Sequence, residues 1–140
     1  MSAMPMRVFL TFPQQFAGIA GEIADALKAE GFDVFNPAGF DLRHVGENNY
    51  RVIAHALDES EAMIVLVDGT STTPANVKAD LSYAFGERRF EGHLIPIFIN
   101  GTGDAPWALR IQGGVSVTAT ETDRVPELIL DALRKIPTAA

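Results

Sequence analysis

Four residues, Asn76, Asp80, Tyr83 and Glu87, follow one another at spacings of four, three and four, which places them on one face of one helix. Asp80 is the member with chemistry to offer, because Leu81 and Ala84 flank it in an otherwise apolar helix. Just upstream, Ser71, Thr72 and Thr73 bring hydroxyls suited to a ribose or a phosphate. Asp80 falls near the loop end of the sheet, where its carboxylate could face a ligand in the crevice. The competing reading of the stripe is a solvated helix face. Two aromatics also read two ways or sit apart: Phe12 is either a core residue or a ring on which a base stacks, and Trp107, the single tryptophan, reads as a lid over the sheet edge.

Other chemistries lack their residues. The chain has no cysteine, which removes disulfides, iron–sulfur clusters, thiolate zinc and a cysteine nucleophile, and fits a reducing compartment, the cytoplasm by default. His44, His55 and His93 form no pair at metal-ligand spacing, so no metal is expected. Gly101-Thr102-Gly103 lacks the remainder of a dinucleotide fingerprint, no Walker-type loop is present, and no Gly-x-Ser-x-Gly elbow occurs. Gly18 and Gly21 are better explained by close helix packing than by phosphate binding. A phosphoacceptor receiver needs an acidic pair at the end of the first strand, where this chain has Thr11-Phe12-Pro13. The formal charge of −7 over 140 residues opposes nucleic acid and anionic lipid. No run approaches the ~20 apolar residues of a membrane span, and the first residues do not read as a signal peptide.

The elements that must position Asp80 follow from hydrophobic periodicity. Arg7–Thr11 is an apolar strand, and Phe16, Ala20, Ile23 and Leu27 stripe a helix that stops at Gly31. Asp33–Phe35 is a short strand, 36–49 a polar loop, and Tyr50, Ile53, Ala54 and Leu57 a second helical stripe. Ala62–Val67 is continuously apolar, as expected of a strand covered on both faces. Thr73 is the expected cap, and Pro74 the first residue, of a third helix whose face joins Val77, Leu81, Ala84 and Phe85. Leu94–Ile99 and Val115–Thr118 complete the strands, and Val125 to Ile136 a closing helix. Strands alternating with helices predict an α/β fold, one domain with a five-stranded, mostly parallel sheet between two helical layers. Ligands in such folds bind at the carboxyl ends of the strands, here the loops 12–15, 36–49, 68–73 and 100–106.

The order and spacing of several segments resemble a known family. Arg7-Val-Phe-Leu-Thr-Phe12, Glu30-Gly-Phe-Asp-Val-Phe35, Arg43-His-Val-Gly46, Ala56-Leu-Asp-Glu-Ser60 before Met63–Val67, Asp80-Leu-Ser-Tyr-Ala84 and Leu94-Ile-Pro-Ile-Phe98 look like a TIR domain of the prokaryotic type, over roughly residues 7–136. The resemblance implies a flavodoxin-like sheet and, in catalytic members, cleavage of the nicotinamide–ribose bond of NAD, with NAD as substrate rather than cofactor and hydrolysed or cyclised products. The family's catalytic glutamate maps to Asp80 and its upstream aromatic to Asn76, both departures from the pattern. Thr11 and Phe12 match residues that line the nicotinamide side, and Arg43 lies in the loop that closes over ligand or mediates assembly. The candidate set is therefore Asp80 as the catalytic, charge-stabilising carboxylate, with Thr11, Phe12, Arg43, Ser71, Asn76 and Tyr83 as substrate-binding residues. A single domain of this kind implies control by self-association or by a partner protein, in antiviral defence or signalling.

Two rivals share the residues. The segment Pro74–Ala84 also resembles nucleoside deoxyribosyltransferases, whose glutamate again falls where Asp80 stands. The departures at Asp80 and Asn76 favour the second rival, a non-catalytic interaction module that uses the Arg43–Gly46 loop and helix faces for homotypic contacts.

Overall fold

In β1 (Arg7–Thr11), Val8 and Leu10 face one way and Phe9 the other, and all three are fully buried. The same alternation runs through β3 (Ala62–Asp68) and β4 (Leu94–Ile99). In β3, Ala62, Ile64 and Leu66 join one core, while Met63, Val65 and Val67 join the other. A strand buried on both faces needs a helical layer on each side. The computed structural model, which describes residues 6–36, 49–70, 73–87, 90, 92–101, 115–118 and 121–135, supplies both layers.

With β2 (Asp33–Phe35) and β5 (Val115–Val117), the strands form one sheet in the order β2-β1-β3-β4-β5, and every described pairing is parallel. This is the flavodoxin-like order, with its topological switch between β1 and β3. Helices α1 (Ala17–Ala29) and α4 (Val125–Arg134) cover one face. Helices α2 (Asn49–Glu59) and α3 (Ala75–Phe85) cover the other.

Helix α1 ends as its sequence predicts. Gly31 takes φ +93°, its N–H reaches the Lys28 carbonyl, and the Phe32 N–H reaches Leu27, the paired bonds that close a helix over a left-handed residue. Three expectations need correction. The N-cap of α3 is Pro74 itself, extended at φ −71°, ψ 161°, which makes no side-chain capping bond. Thr73 therefore lies one residue too early to reach the first-turn N–H groups, and its hydroxyl is buried with no partner among the described residues. Phe85 is not part of the buried face of α3. Val77, Leu81 and Ala84 turn inward, whereas Phe85 sits at the stripe's edge in the last turn and is 47% exposed. On α2, Leu57 is buried and Ala54 is exposed, so the inward stripe is narrower than the sequence pattern suggests.

Candidate functional site

The ends of β1 and β3 and the start of α3 meet at the switch point. Alternation along β1 places Thr11 on the same side of the sheet as Phe9, toward α3. There the Thr11 hydroxyl donates to Oδ2 of Asp80 at 2.7 Å, joining residues 69 apart in the chain. One helical turn before Asp80, the Asn76 side-chain N–H donates to the carbonyl of Phe12 at 3.3 Å. The sequence places a carboxylate on this helix, and the fold sets it against the end of the first strand.

Asp80 is partly buried, and burial pushes its pKa above the usual carboxylate range, while the bond from Thr11 pulls it partway back. A raised pKa means that the folded chain binds a proton here more readily than the unfolded chain does. The associated stability is complete below the ordinary carboxylate range and is lost as pH rises through the folded value. Asp80→Asn keeps an acceptor for Thr11 and removes the charge. It is expected to raise Tm by a few degrees at about pH 7.5 and to leave it unchanged near pH 3, as scanning calorimetry at the two pH values would show.

The other sequence-predicted residues fall as follows. Phe12 is 6% exposed and packs with Phe16 in the core on the α1 side, so its carbonyl, not its ring, joins the site. Thr11 is 1% exposed, and its hydroxyl is directed to Asp80. The Tyr83 hydroxyl donates to Asp58 of α2, and its ring meets Phe90 edge-on with centroids 6.4 Å apart, which makes it a helix-packing residue. Arg43 and Ser71 lie outside the described residues, as do Trp107 and most of the 36–49 loop.

In the loop after β3 the sequence pattern draws attention to the hydroxyls of 71–73, but Asp68 organises the described part of the turn. The Asp68 carboxylate accepts from the Thr70 N–H at 2.9 Å and from the Thr70 hydroxyl at 2.6 Å through Oδ1, and from Gln15 at 3.3 Å through Oδ2. The signal was present in Asp68-Gly69-Thr70, an Asx-turn pattern in which an aspartate folds back on the backbone two residues on. Gly69 donates to the Ile99 carbonyl at 2.8 Å, which brings the loops after β3 and β4 together.

Two clefts of about 170 and 390 Å³ flank β2 at the sheet edge, and neither is lined by Asp80. Among the described residues no cluster of three or more His, Asp or Glu side chains could hold a metal ion. No helix among them is long and apolar enough to cross a membrane.

A family model for the TIR domain matches residues 8–129. The chain belongs to the TIR domain family. Among solved structures, this TIR domain is similar to a metazoan TIR-STING receptor from C. gigas in complex with 2',3'-cGAMP, at 19% identity and a TM-score of 0.66. That match covers 87% of this chain and 38% of the other. It is also similar to the translation elongation factor SelB from Methanococcus maripaludis in complex with the GTP analogue GppNHp, at 10% identity and a TM-score of 0.58. This second match covers 99% of the chain and 36% of the other. At these identities both likenesses speak for the fold alone, and the TIR domain spans well under half the length of either protein. No curated protein matches the sequence significantly.

Proposed function

We propose that this TIR domain binds NAD at the carboxyl ends of its strands and cleaves the nicotinamide–ribose bond, by hydrolysis or by cyclisation to products of the ADP-ribose type. The observation that carries the reading is the Asp80 carboxylate, half-withdrawn from water at the topological switch point and tied to the end of β1. As the N-glycosidic bond lengthens, positive charge grows on the ribose ring. A carboxylate in a partly desolvated site stabilises that charge far better than one in bulk water. Nicotinamide leaves as a neutral molecule from a cationic ring, so the mechanism needs no strong general acid. Asp80 thus acts in its ionised form, by charge and by holding ribose hydroxyls.

NAD and free nucleosides offered side by side at high protein concentration, with nicotinamide and free base quantified by chromatography, test the reading. Release of nicotinamide supports it, and release of base from nucleosides alone points instead to the deoxyribosyltransferase-like alternative. NAD depletion would serve antiviral defence or signalling.

Control by self-association is part of the same proposal. Phe85, 47% exposed in the last turn of α3, is the large apolar side chain that the described surface offers for testing it. Phe85→Ser is expected to weaken self-association about tenfold and to preserve the fold. Sedimentation velocity across a concentration series would measure the first effect and circular dichroism the second.

A further inference from the structure

We propose that Thr11 is a positioning residue for Asp80, holding Oδ2 so that Oδ1 is the oxygen presented to the ligand, and that Asn76 completes the hold by tying α3 to the end of β1. The inference rests on the reading of Asp80 as the acid that meets the ribose, and it assigns work to two side chains that themselves need not touch substrate.

The geometry argues for it in three steps. First, Thr11 is a rigid anchor. It pairs with Val65 in the interior of the sheet and is 1% exposed, so neither its backbone nor its hydroxyl is free to wander. Second, the bond has a direction. The hydroxyl donates to Oδ2 of Asp80 at 2.7 Å, whereas Oδ1 has no protein partner among the described residues. A carboxylate gripped by one oxygen retains full acceptor capacity on the other. Third, the hold is made at two points. Asn76 and Asp80 stand four residues apart and so project from the same side of α3. Their bonds to the Phe12 carbonyl and the Thr11 hydroxyl, made to adjacent residues of the β1 end, fix the helix against the strand in both height and rotation.

This arrangement gives the two departures from the family pattern a common physical sense. A carboxylate on a short side chain is suited to being clamped to the strand, and an amide one turn earlier satisfies the strand's next carbonyl. Thr11 also opposes the effect of burial on Asp80, because its O–H stabilises the ionised carboxylate.

The test compares Thr11→Val, which keeps the shape and removes the donor, with Thr11→Ser, which keeps the donor. Two readouts are used: carbon-13 NMR titration of the Asp80 carboxyl in substrate-free protein, and NAD turnover across pH. With Thr11→Val, the Asp80 titration midpoint is expected to rise and the acidic limb of the kcat profile to move to higher pH. In the same variant kcat falls about tenfold, with KM within about twofold. Thr11→Ser is expected to behave as the parent in all three respects. The proposal is overturned if Thr11→Val leaves the titration and kcat unchanged, or if Thr11→Ser fails as badly as Thr11→Val, which would reduce Thr11 to a packing residue. Should Thr11→Val not fold, Thr11→Ala carries the same expectation and the same refutation. Absence of NAD turnover in the parent protein would defeat the enzymatic reading, while the substrate-free titration would still decide whether Thr11 governs Asp80.

Discussion

On the proposed reading, Asp80→Ala is expected to lower the release of nicotinamide from NAD at least about a hundredfold, the scale set by removing one preorganised charge-stabilising group from an active site. The fold is expected to survive, because the ionised carboxylate is disfavoured by its partial burial and its removal costs the single bond from Thr11, about 1–3 kcal/mol. Asp80→Asn should be nearly as inactive, since it preserves shape and the bond to Thr11 but not the charge. Asp80→Glu does not improve on the parent. Its extra methylene carries the carboxylate past a hydroxyl that meets the native side chain at 2.7 Å, and displacement of a reacting group by about 1 Å costs on the order of a hundredfold. Chromatographic rates for the three variants, with thermal melts as controls, check the prediction. Unchanged turnover in Asp80→Ala would remove Asp80 from the mechanism.

Gly69→Ala has the largest expected effect on stability. A Cβ at position 69 would be driven into the carbonyl of Gly101 and would stand 2.8 Å from the carbonyl oxygen of Asn100. These are backbone atoms, which cannot rotate away as a side-chain tip can. Asn100 already occupies the left-handed region at φ 64°, and its N–H is committed to Val117, so the β4 loop has little freedom to retreat. A cost of about 3 kcal/mol is expected, lowering Tm by roughly 10 °C. Denaturant unfolding would measure it, and a loss under about 0.5 kcal/mol would show that the two loops can part. The same variant should disturb the Asp68–Thr70 turn beside the site.

Much of this architecture is legible in the residues. The all-parallel core follows from runs such as Ala62–Val67, too apolar for one solvated face, and the position of Asp80 after the central strand follows from the alternation of elements. What local pattern cannot carry is which groups meet across the fold. Thr11 and Asp80 are each conspicuous in the sequence, yet their bond depends on how α3 seats against β1, a relation between segments 69 residues apart. Phe12 shows the other limit. A phenylalanine at a strand end invites stacking on a ligand, but a single step along the chain from Thr11 turns its ring to the opposite face, into the core beside Phe16. Tyr83 shares the polar stripe of α3, and its hydroxyl is drawn to Asp58 on the neighbouring helix, a pairing that spacing within one helix cannot reveal.

The placement of β1 inside the sheet has a consequence for biogenesis. As the polypeptide leaves the ribosome, β1 can gain β2 as a neighbour early, but its other edge stays open until β3 has been synthesised. Asp80 then arrives on the element that directly follows β3. The hydroxyl and the carboxylate of the site are therefore brought together by the slow, non-local step of folding, not by any local one. A truncated or half-folded chain would carry Thr11 without its partner, so that NAD turnover, on the proposed reading, would report completion of the central sheet.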